Sequence, residues 1–445
     1  MNQLRYLANV LADFQRGDTR LSYVKHVENL SKSNPEDIRA FQWQQLKRIV
    51  EYAYTTNPFY RSRRAGALSA AFTLESLEHF RTIPLLERED IRRYSEELLD
   101  PQIDKKTLIV SATGGTTDSP IRIFLDRDCV ARRRAATVFF SRWFGFNVGD
   151  RVAFLWGAKQ DYAGSDTLRS RIRRWALGPG IFLPTDMLND EIFRAYYVRL
   201  RDFRPKVLQA YPTPLYYFSC FLERANLELP ISHINVAAEY LYDYQREKIE
   251  KVFNSKIFNW YGTRELGHLA TECQEHCGLH VNAFGVFLEV LRNGVPVFDQ
   301  VGEIVLTDLW NKAMPLIRYR IRDTGVLTTR PCPCGSGLPL LLEVSGRLVD
   351  TFKKRDGTLI PGVALTSRVI KEHDGIKKMQ IIQKDYNFFN LKIVKGERFR
   401  NEDLDKLKES ICRFLQTELL FQIDWVDDIL PEKSGKVRFC KSEIK

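Results

Sequence analysis

Apolar residues recur every three or four positions in the first part of the chain, a spacing that predicts amphipathic helices. The stretch FQWQQLKRIVEYAYTT, residues 41–56, shows this spacing. It is preceded by SNPEDIRAF, residues 33–41, which supplies a Ser/Asn start with proline and acids in the first turn of a helix. We therefore predict that residues 1–105 form a mainly helical segment.

From residue 107 onward the pattern changes to short apolar runs that alternate with helical stretches. The runs are TLIVSA (107–112), RIFL (122–125), RVAFLW (151–156), VLQAY (207–211), INVAAE (234–239), KIFNWYG (256–262) and EIVLTDL (303–309). Largely apolar strands are typical of a sheet that is covered on both faces. The alternation of strands and helices predicts an α/β fold.

A second change of pattern occurs near residue 346. The turn-rich, charged stretch SGRLVDTFKKRDGTLIPG, residues 345–362, precedes a helix-strand-strand-helix-strand pattern that runs to the end of the chain. About 100 residues suffice for a small α+β domain. We predict a large N-terminal domain over residues 1–345 and a small C-terminal domain over residues 346–445, which suits a chain of 445 residues.

Composition narrows the class of protein. No run reaches the roughly 20 apolar residues that span a bilayer, and the first residues lack a secretory signal, so we expect a cytoplasmic protein without membrane insertion. The net charge is +11, but no nucleic-acid-binding module is recognisable and no nucleic-acid partner is expected. The arginine runs 132–134 and 169–174 each indicate either a solvated helix face or a site for an anionic partner.

A loop rich in Gly, Ser and Thr follows the first apolar run. It reads SATGGTTDSP, residues 111–120. Paired glycines let the backbone approach an anion closely, while hydroxyl and N–H groups donate to phosphate oxygens. The loop has neither the Gly-Lys-Ser/Thr of a P-loop nor the GxGxxG of a dinucleotide fold. Alone, it indicates either a plain hairpin turn or a cradle for a triphosphate.

Further motifs follow this loop in a fixed order. They are RPKVLQAYP (204–212), AAE (237–239), YGTRE (261–265), CQEHCGLHVN (273–282), RYRIRDTG (318–325), GRLVD (346–350) and SGK (434–436). Together they resemble the core motifs of the adenylate-forming superfamily of acyl-CoA synthetases, peptide-synthetase adenylation domains and luciferases. The series is most similar to the phenylacetate-CoA ligase-like branch, which includes capsular-polysaccharide-biosynthesis proteins. The resemblance spans roughly residues 105–440 and implies a small, mobile C-terminal domain.

The resemblance assigns roles to individual residues. It implies that the loop closes over the β- and γ-phosphates of ATP through Ser111, Thr113, Gly114, Gly115, Thr116 and Thr117. Glu265 matches the glutamate that holds Mg²⁺, although an ion pair with a neighbouring arginine is the alternative role for this side chain. Asp323 matches the aspartate that accepts hydrogen bonds from the ribose hydroxyls, and Arg347 matches the arginine beside the ribose and phosphate. The remaining implied nucleotide-site residues are Glu239, Tyr261, Gly262, Thr263 and Arg264.

Two of these positions depart from the usual family pattern. Arg264 stands where threonine is common in the family. Its role is therefore either an adenine-side contact or an extra phosphate ligand. Val349 stands where a polar hinge residue is usual, and the acid is Asp350 instead. The implied hinge is therefore placed within residues 346–350 without a single residue being assigned.

Lys436 matches the catalytic lysine of the family's terminal signature. In adenylation, the substrate carboxylate attacks the α-phosphorus of ATP while negative charge accumulates on phosphate oxygens. A lysine that bridges the carboxylate and the α-phosphate would stabilise that charge and align the nucleophile. The family role therefore agrees with the chemistry that a cation at this position supplies.

A cluster of cysteines and histidine predicts a structural zinc site. Cys273, Cys277 and His280 lie within eight residues, and Cys332 and Cys334 follow in a Cys-Pro-Cys-Gly stretch. Thiolates and imidazole at such spacings suit tetrahedral zinc. The resemblance favours Cys273, His280, Cys332 and Cys334 as ligands, with Cys277 as a substitute and His276 as a weaker one.

The substrate and the acyl acceptor remain open at this stage. Aromatic residues near the implied acyl pocket favour an aryl or arylacetic acid; they are Trp156, Tyr211, Tyr216, Tyr217, Tyr240 and Trp260. The acceptor is either the thiol of CoA or an amine, a sugar or a carrier-protein thiol. A non-catalytic binding protein with the same fold is the third alternative. The resemblance is also compatible with a homodimer.

Overall fold

A computed structural model gives the fold of most of the chain. It describes residues 20–63, 72–112, 121–156, 180–185, 188–347, 351–355, 359–361, 375–396, 399–429 and 440–444. The helices of these residues are α1 (Arg20–Leu30), α2 (Pro35–Thr56), α3 (Pro58–Ser62), α4 (Leu77–Arg81), α5 (Arg88–Arg93), α6 (Arg127–Ser141), α7 (Asp190–Phe203), α8 (Pro212–Arg224), α9 (Asp243–Phe253) and α10 (Asn401–Leu415). Among these residues no helix is both long enough and apolar enough to cross a lipid bilayer.

Twenty strands accompany these helices. They are β1 (Ile109–Ala112), β2 (Arg122–Leu125), β3 (Val152–Trp156), β4 (Gly180–Pro184), β5 (Val207–Ala210), β6 (His233–Ala237), β7 (Ile257–Thr263), β8 (Gly267–Glu272), β9 (Leu279–Val281), β10 (Val286–Arg292), β11 (Val295–Pro296), β12 (Gly302–Asp308), β13 (Tyr319–Thr328), β14 (Leu340–Arg347), β15 (Thr351–Lys353), β16 (Leu359–Pro361), β17 (Ile376–Asp385), β18 (Phe388–Lys395), β19 (Leu420–Trp425) and β20 (Cys440–Ser442). The mixture of long helices and an extended sheet confirms the predicted α/β class.

The helical segment predicted from the apolar spacing is present where the structure describes it. Helix α2 shows why the pattern was informative. The Oδ1 of Asn34 accepts a hydrogen bond of 2.8 Å from the N–H of Asp37, and Pro35 occupies the first helical turn. Ile38, Leu46 and Ile49 lie on its buried face. The local sequence therefore determines both the start of this helix and the face that it buries.

The main sheet has twelve strands and changes character at its centre. Its order is β11-β10-β12-β13-β14-β9-β8-β7-β6-β5-β3-β4. The pairings from β4–β3 to β6–β7 are parallel, whereas every pairing from β7–β8 to β10–β11 is antiparallel. The hairpin that joins β7 to β8 therefore marks the switch between the two halves, and it carries one of the predicted motifs.

Two hydrophobic cores lie along this sheet. The N-terminal helices pack with β2, α6 and the antiparallel half, and the large core that results includes Phe80, Phe140 and Tyr319. The parallel half packs with α7, α8 and α9 around Phe218 and Phe253. The helical segment is therefore an integral part of the antiparallel half, because its apolar faces share that core.

The C-terminal residues have a core of their own. Strands β19, β18, β17 and β20 form a four-stranded sheet in that order, and α10 packs against it. This third core includes Phe352, Phe389 and Leu407. Strand β14 extends to Arg347, two residues beyond the predicted boundary at 345/346. The predicted division at that boundary stays a prediction. The first helix predicted for this domain was expected after residue 362, and residues 362–374 lie outside the described residues.

Candidate functional site

The β7–β8 hairpin places the Tyr-Gly-Thr-Arg-Glu motif at the switch point of the main sheet. A register shift between Tyr261 and Gly262 bends the end of β7. A Cβ at position 262 would lie 2.7 Å from Cζ3 of Trp260 and 2.8 Å from the carbonyl oxygen of Gly267. Only glycine fits this close approach, because the carbonyl oxygen belongs to the backbone and cannot rotate away.

Glu265 follows this hairpin strand and is buried. Its Oε1 lies 3.3 Å from Nη1 of Arg88, which belongs to α5, and 3.5 Å from the hydroxyl of Tyr319. Of the two roles that the sequence left open for Glu265, the ion pair is the one that the structure displays. The partner is Arg88, 177 residues away in sequence, rather than an adjacent arginine.

Arg133 contacts the backbone of the turn that contains Glu265. Its Nη2 donates to the carbonyl oxygen of Glu265 at 2.8 Å and to Oδ2 of Asp308 at 2.6 Å. The side chains of Arg133 and Asp308 are both buried. The interpretation of residues 132–134 as a solvated face or an anion site is therefore wrong for Arg133. The helical period turns this middle arginine inward, where it neutralises the buried carboxylate of Asp308. The second arginine run, residues 169–174, lies outside the described residues.

Tyr261 and Asp323 meet beside this turn. The Tyr261 hydroxyl donates to Oδ2 of Asp323 at 2.6 Å. Asp323 lies in β13, where its Cα is paired with that of Arg347 in β14. The backbone therefore brings three predicted nucleotide-site positions to one place. The side chain of Arg347 is not among those described.

The predicted phosphate loop, residues 111–117, begins next to the same motif. The hydroxyl of Ser111, at the end of β1, donates to the carbonyl oxygen of Arg264 at 3.0 Å. Arg264 itself is exposed. The hydroxyl of Thr263 accepts a hydrogen bond of 3.1 Å from the N–H of Leu266 and so closes the hairpin turn. Several predicted site and hinge residues lie outside the described residues: Thr113, Gly114, Gly115, Thr116, Thr117, Val349, Asp350 and Lys436.

The Ala-Ala-Glu triplet lies at the end of β6. Ala238 has a backbone φ of 71°, a left-handed conformation that non-glycine residues rarely adopt. Such strain is concentrated at functional sites. The neighbouring Glu239 accepts a hydrogen bond of 3.0 Å at its Oε2 from the N–H of Thr213 at the start of α8. The triplet is therefore fixed to a helix of the parallel half.

The aromatic residues predicted for the acyl pocket divide into three groups. The rings of Trp156 and Tyr211 have centroids 4.2 Å apart. Trp260, by contrast, stacks on the buried ring of His268, with centroids 5.2 Å apart. Burial lowers the pKa of His268 to about 3, so this imidazole is neutral. Tyr216 and Tyr240 contact Tyr244 and Tyr242, respectively.

The predicted zinc ligands come together between the β8–β9 turn and the β13–β14 loop. The Sγ atoms of Cys273 and Cys332 are 3.6 Å apart, and Sγ of Cys334 lies 3.3 Å from Nε2 of His280. The four ligand atoms lie within 4.8 Å of one another. Cys277 is exposed and directs its Sγ to the carbonyl oxygen of Glu275, at 3.2 Å.

The chain is similar to known proteins over most of its length. Residues 352–443 match the family model "CapK C-terminal domain". The chain is 22% identical to "Protein CapK" of Staphylococcus aureus over 95% of this chain and 93% of the relative. It is 24% identical to the "Phenylacetate-coenzyme A ligase" of Thermus thermophilus over 77% of this chain and 76% of that ligase. This chain is a homologue of CapK and of the phenylacetate-coenzyme A ligases.

A solved structure shows that the fold also agrees. A crystal structure of 2-hydroxyisobutyryl-CoA ligase, in complex with R3-HIB-AMP, is similar with a TM-score of 0.70 at 17% identity, over 92% of this chain and 90% of that chain. The predicted fold, a large α/β domain with a smaller C-terminal domain, is thereby confirmed. The predicted resemblance and the prediction of an AMP-forming ligase class are confirmed by the homologues.

The cysteine and histidine cluster of this CapK homologue fits zinc on chemical grounds. Two thiolates on a tetrahedral zinc ion with bonds of about 2.3 Å lie roughly 3.8 Å apart, close to the observed sulfur separation. Burial raises the pKa of the Cys273 thiol to about 12 and lowers that of His280 to about 4. A neutral imidazole is the form that binds a metal, and a cation would stabilise the buried thiolate.

The predicted substitutes for these ligands are placed less favourably. Cys277 lies outside the group of four, as its contact with Glu275 shows. Nδ1 of His276 lies 3.1 Å from Oε2 of Glu272, in an ion-pair geometry that does not involve the cysteines. The described geometry therefore favours His280 over both alternatives.

The sequence did not identify Arg88 or Arg133 as residues of the site. Arg88 lies in the helical segment, outside the motif series, and its contact with Glu265 depends on how α5 packs against β13. Arg133 lies in a run of three arginines, residues 132–134, and such a run usually lies at the surface. The helical period of α6, which places Cys129 and Ala136 on the same face as Arg133, was the available signal that one arginine of the run faces inward.

Proposed function

We propose that this chain activates a carboxylic acid with ATP, forming an acyl-AMP and pyrophosphate, and then transfers the acyl group. The convergence of Ser111, Tyr261, Glu265 and Asp323 around the β7–β8 hairpin is the observation that carries the proposal. These residues come from three separate motifs of the predicted series. Homology to phenylacetate-coenzyme A ligases supports the same reaction class.

Each of these residues has a chemical role in the proposed reaction. The carboxylate of Asp323 offers several lone pairs to the ribose hydroxyls of ATP, and Tyr261 orients it. Glu265 would hold a magnesium ion, which neutralises charge on the phosphates when bound. The loop at residues 111–117 would donate to the β- and γ-phosphates. Lys436 would stabilise the charge that develops as the carboxylate attacks the α-phosphorus.

The acyl acceptor has two candidates. Homology to phenylacetate-coenzyme A ligases supports CoA. The alternative acceptor, namely an amine, a sugar or a carrier-protein thiol, follows from the resemblance to the branch that includes capsular-polysaccharide-biosynthesis proteins; residues 352–443 match the CapK C-terminal domain, and CapK aligns over 95% of the chain. The aromatic pair Trp156 and Tyr211 supports an aryl or arylacetic acid as the substrate.

Exchange of labelled pyrophosphate into ATP, in the presence of a panel of acids, tests the adenylation step. We expect exchange with one class of acid, and loss of about 10² to 10³ in rate when Lys436 is replaced by alanine. Lys433→Ala is the matched control and should retain exchange. Absence of exchange with every acid, from folded and zinc-replete protein, would contradict the proposal and favour a binding protein with this fold.

A second assay separates the acceptors. AMP release that requires CoA would support a CoA ligase. AMP release with an amine, a sugar or a carrier protein, in the absence of CoA, would support the alternative acceptor. Both outcomes require the acid identified by the exchange assay.

We also propose that Cys273, His280, Cys332 and Cys334 hold a structural zinc ion. Four protein ligands leave no open position for water, which is typical of a structural site. The ion would join the β8–β9 turn to the β13–β14 loop. It would thereby support the hairpin that carries Glu265.

A further inference from the structure

The segment before α5 is fixed to strand β13 by its backbone. The N–H of Leu86 donates to the carbonyl oxygen of Arg318 at 3.0 Å, and the N–H of Arg320 donates to the carbonyl oxygen of Leu86 at 3.0 Å. These bonds place the start of α5 beside the strand that carries Asp323. Residues at the start of α5 are therefore held in register with the candidate nucleotide site.

Ion pairs on either side of Arg88 strengthen this attachment. Oε1 of Glu87 lies 2.8 Å from Nη1 of Arg320, and Oε2 of Glu89 lies 2.9 Å from Nη2 of Arg322. Arg88 lies between these two acids in sequence and contacts Glu265 instead. The flanking pairs hold the start of the helix, so the position of the Arg88 guanidinium does not depend on Glu265 alone.

The Arg88–Glu265 pair is largely shielded from water. The two side chains are 17% and 12% exposed, and their nearest N and O atoms are 3.3 Å apart. Charges in such an environment attract each other more strongly than at the surface. A divalent cation that approaches the Glu265 carboxylate must therefore compete with the guanidinium.

The surroundings of the pair match those expected for a triphosphate. The end of β1, where the phosphate loop begins, contacts the backbone of Arg264, next to Glu265. Tyr319 contacts Glu265, and Asp323 lies four residues further along β13. Guanidinium groups bind phosphate through two parallel N–H donors, whereas carboxylates prefer hard divalent cations together with phosphate oxygens.

We propose that Arg88 is the internal counter-ion of Glu265 and exchanges partners when the nucleotide binds. The divalent cation that accompanies ATP takes the carboxylate of Glu265, and the displaced guanidinium binds an oxygen of the β- or γ-phosphate. This inference rests on the proposed function. It adds a phosphate-binding residue from the helical segment and explains why an arginine is held beside the candidate magnesium ligand.

Nucleotide binding without turnover tests this exchange. Calorimetric titration with ATP and with AMP, in the presence of Mn²⁺ as the probe cation, is compared for the wild-type protein, Arg88→Ala and Arg92→Ala. Arg92 lies on the same helix and pairs with Glu89 at the surface, so it is the matched control. We expect Arg88→Ala to weaken ATP binding about tenfold while leaving AMP binding unchanged, because AMP lacks the β- and γ-phosphates.

A second readout follows the cation. Removing the competing guanidinium should lower the concentration of Mn²⁺ that gives half-maximal ATP binding in Arg88→Ala, a change that a purely structural role would not produce. If the alanine variant does not fold, Arg88→Lys provides the test. It keeps the charge but loses the two-donor geometry, and we expect about a threefold loss of ATP binding with AMP binding unchanged.

Three results would overturn the inference. Equal weakening of ATP and AMP binding would indicate a structural role for Arg88. Unchanged ATP binding in the alanine variant would show that the guanidinium does not reach the phosphates. Failure of the wild-type protein to bind either nucleotide would contradict the proposed function as well, so the two failures are distinguishable.

Discussion

The hydroxyl of Tyr261 donates a hydrogen bond of 2.6 Å to Oδ2 of Asp323, although 62 residues separate them in the sequence. Tyr261 ends the parallel half of the main sheet, and Asp323 lies in β13 of the antiparallel half. This bond therefore links the two halves at the point where we place the ribose of ATP. It helps to orient the carboxylate of Asp323.

The first prediction concerns this bond. Replacing Tyr261 by phenylalanine removes the donor but keeps the ring. We expect nucleotide affinity to fall about fivefold to tenfold, because a hydrogen bond to a charged group contributes about 1.5 to 3 kcal/mol and water replaces part of that contribution in the variant. Calorimetric titration with AMP measures the change. Tyr197→Phe on α7 is the control, and an equal effect there would contradict the assignment.

The second prediction concerns the hairpin glycine. Gly262→Ala places a Cβ 2.8 Å from a backbone oxygen. We expect a loss of about 1 to 3 kcal/mol in the free energy of unfolding, since the backbone must shift to relieve the overlap. Denaturant titration measures the loss. Gly180→Ala is the matched control, because its Cβ would lie at an ordinary 3.5 Å from Phe154. Equal stability of the two variants would show that the hairpin accommodates the methyl group.

The third prediction concerns the buried ion pair of Arg133 and Asp308 next to Glu265. Arg133→Ala leaves the carboxylate of Asp308 buried without the guanidinium that it contacts at 2.6 Å. We expect destabilisation of about 3 to 5 kcal/mol. Arg132→Ala, which removes a partly exposed ion pair with Asp128 and a cation–π contact with Tyr23, should cost about 2 kcal/mol or less. Thermal and denaturant unfolding distinguish the two. A small effect at Arg133 would mean that water or another cation replaces it.

The fourth prediction concerns metal removal. We expect purified protein to contain one zinc ion per chain, and Cys332→Ser to lose most of it together with thermal stability, because metal binding is linked to folding. Cys277→Ser should retain the zinc, since Cys277 lies outside the group of four ligand atoms. Elemental analysis and thermal unfolding provide the measurements. If Cys277→Ser loses the zinc and His280→Ala retains it, Cys277 is the fourth ligand and His280 is not.

The sequence was most informative where local rules operate. Helix α2 was predictable because its cap, its proline and its apolar spacing are all local features. The parallel strands β3, β5, β6 and β7 were predictable because burial on both faces leaves apolar runs, whereas β4 was not predicted. The antiparallel strands β13 and β14 are harder to read, since Arg320, Arg322 and other polar residues interrupt their pattern. Their charges are compensated by Glu87, Glu89 and Glu303, which no local pattern reveals.

The candidate site was predictable only in part. The order of the motifs indicated that Tyr261, Glu265 and Asp323 belong together, and the structure places them around one hairpin. The contributions of Arg88 and Arg133 were not predictable in the same way. Both depend on tertiary packing: one helix end is docked on β13, and one arginine of a basic run is turned into the core.

The central claim is that a carboxylate oxygen attacks the α-phosphorus of ATP, and one isotope measurement tests it directly. The acid that supports pyrophosphate exchange is labelled with ¹⁸O in its carboxylate and incubated with ATP and the acyl acceptor. Attack on the α-phosphorus transfers one labelled oxygen to the AMP that the acceptor later displaces. We predict AMP carrying one ¹⁸O by mass spectrometry. Label in inorganic phosphate with formation of ADP, or AMP without label, would contradict the account.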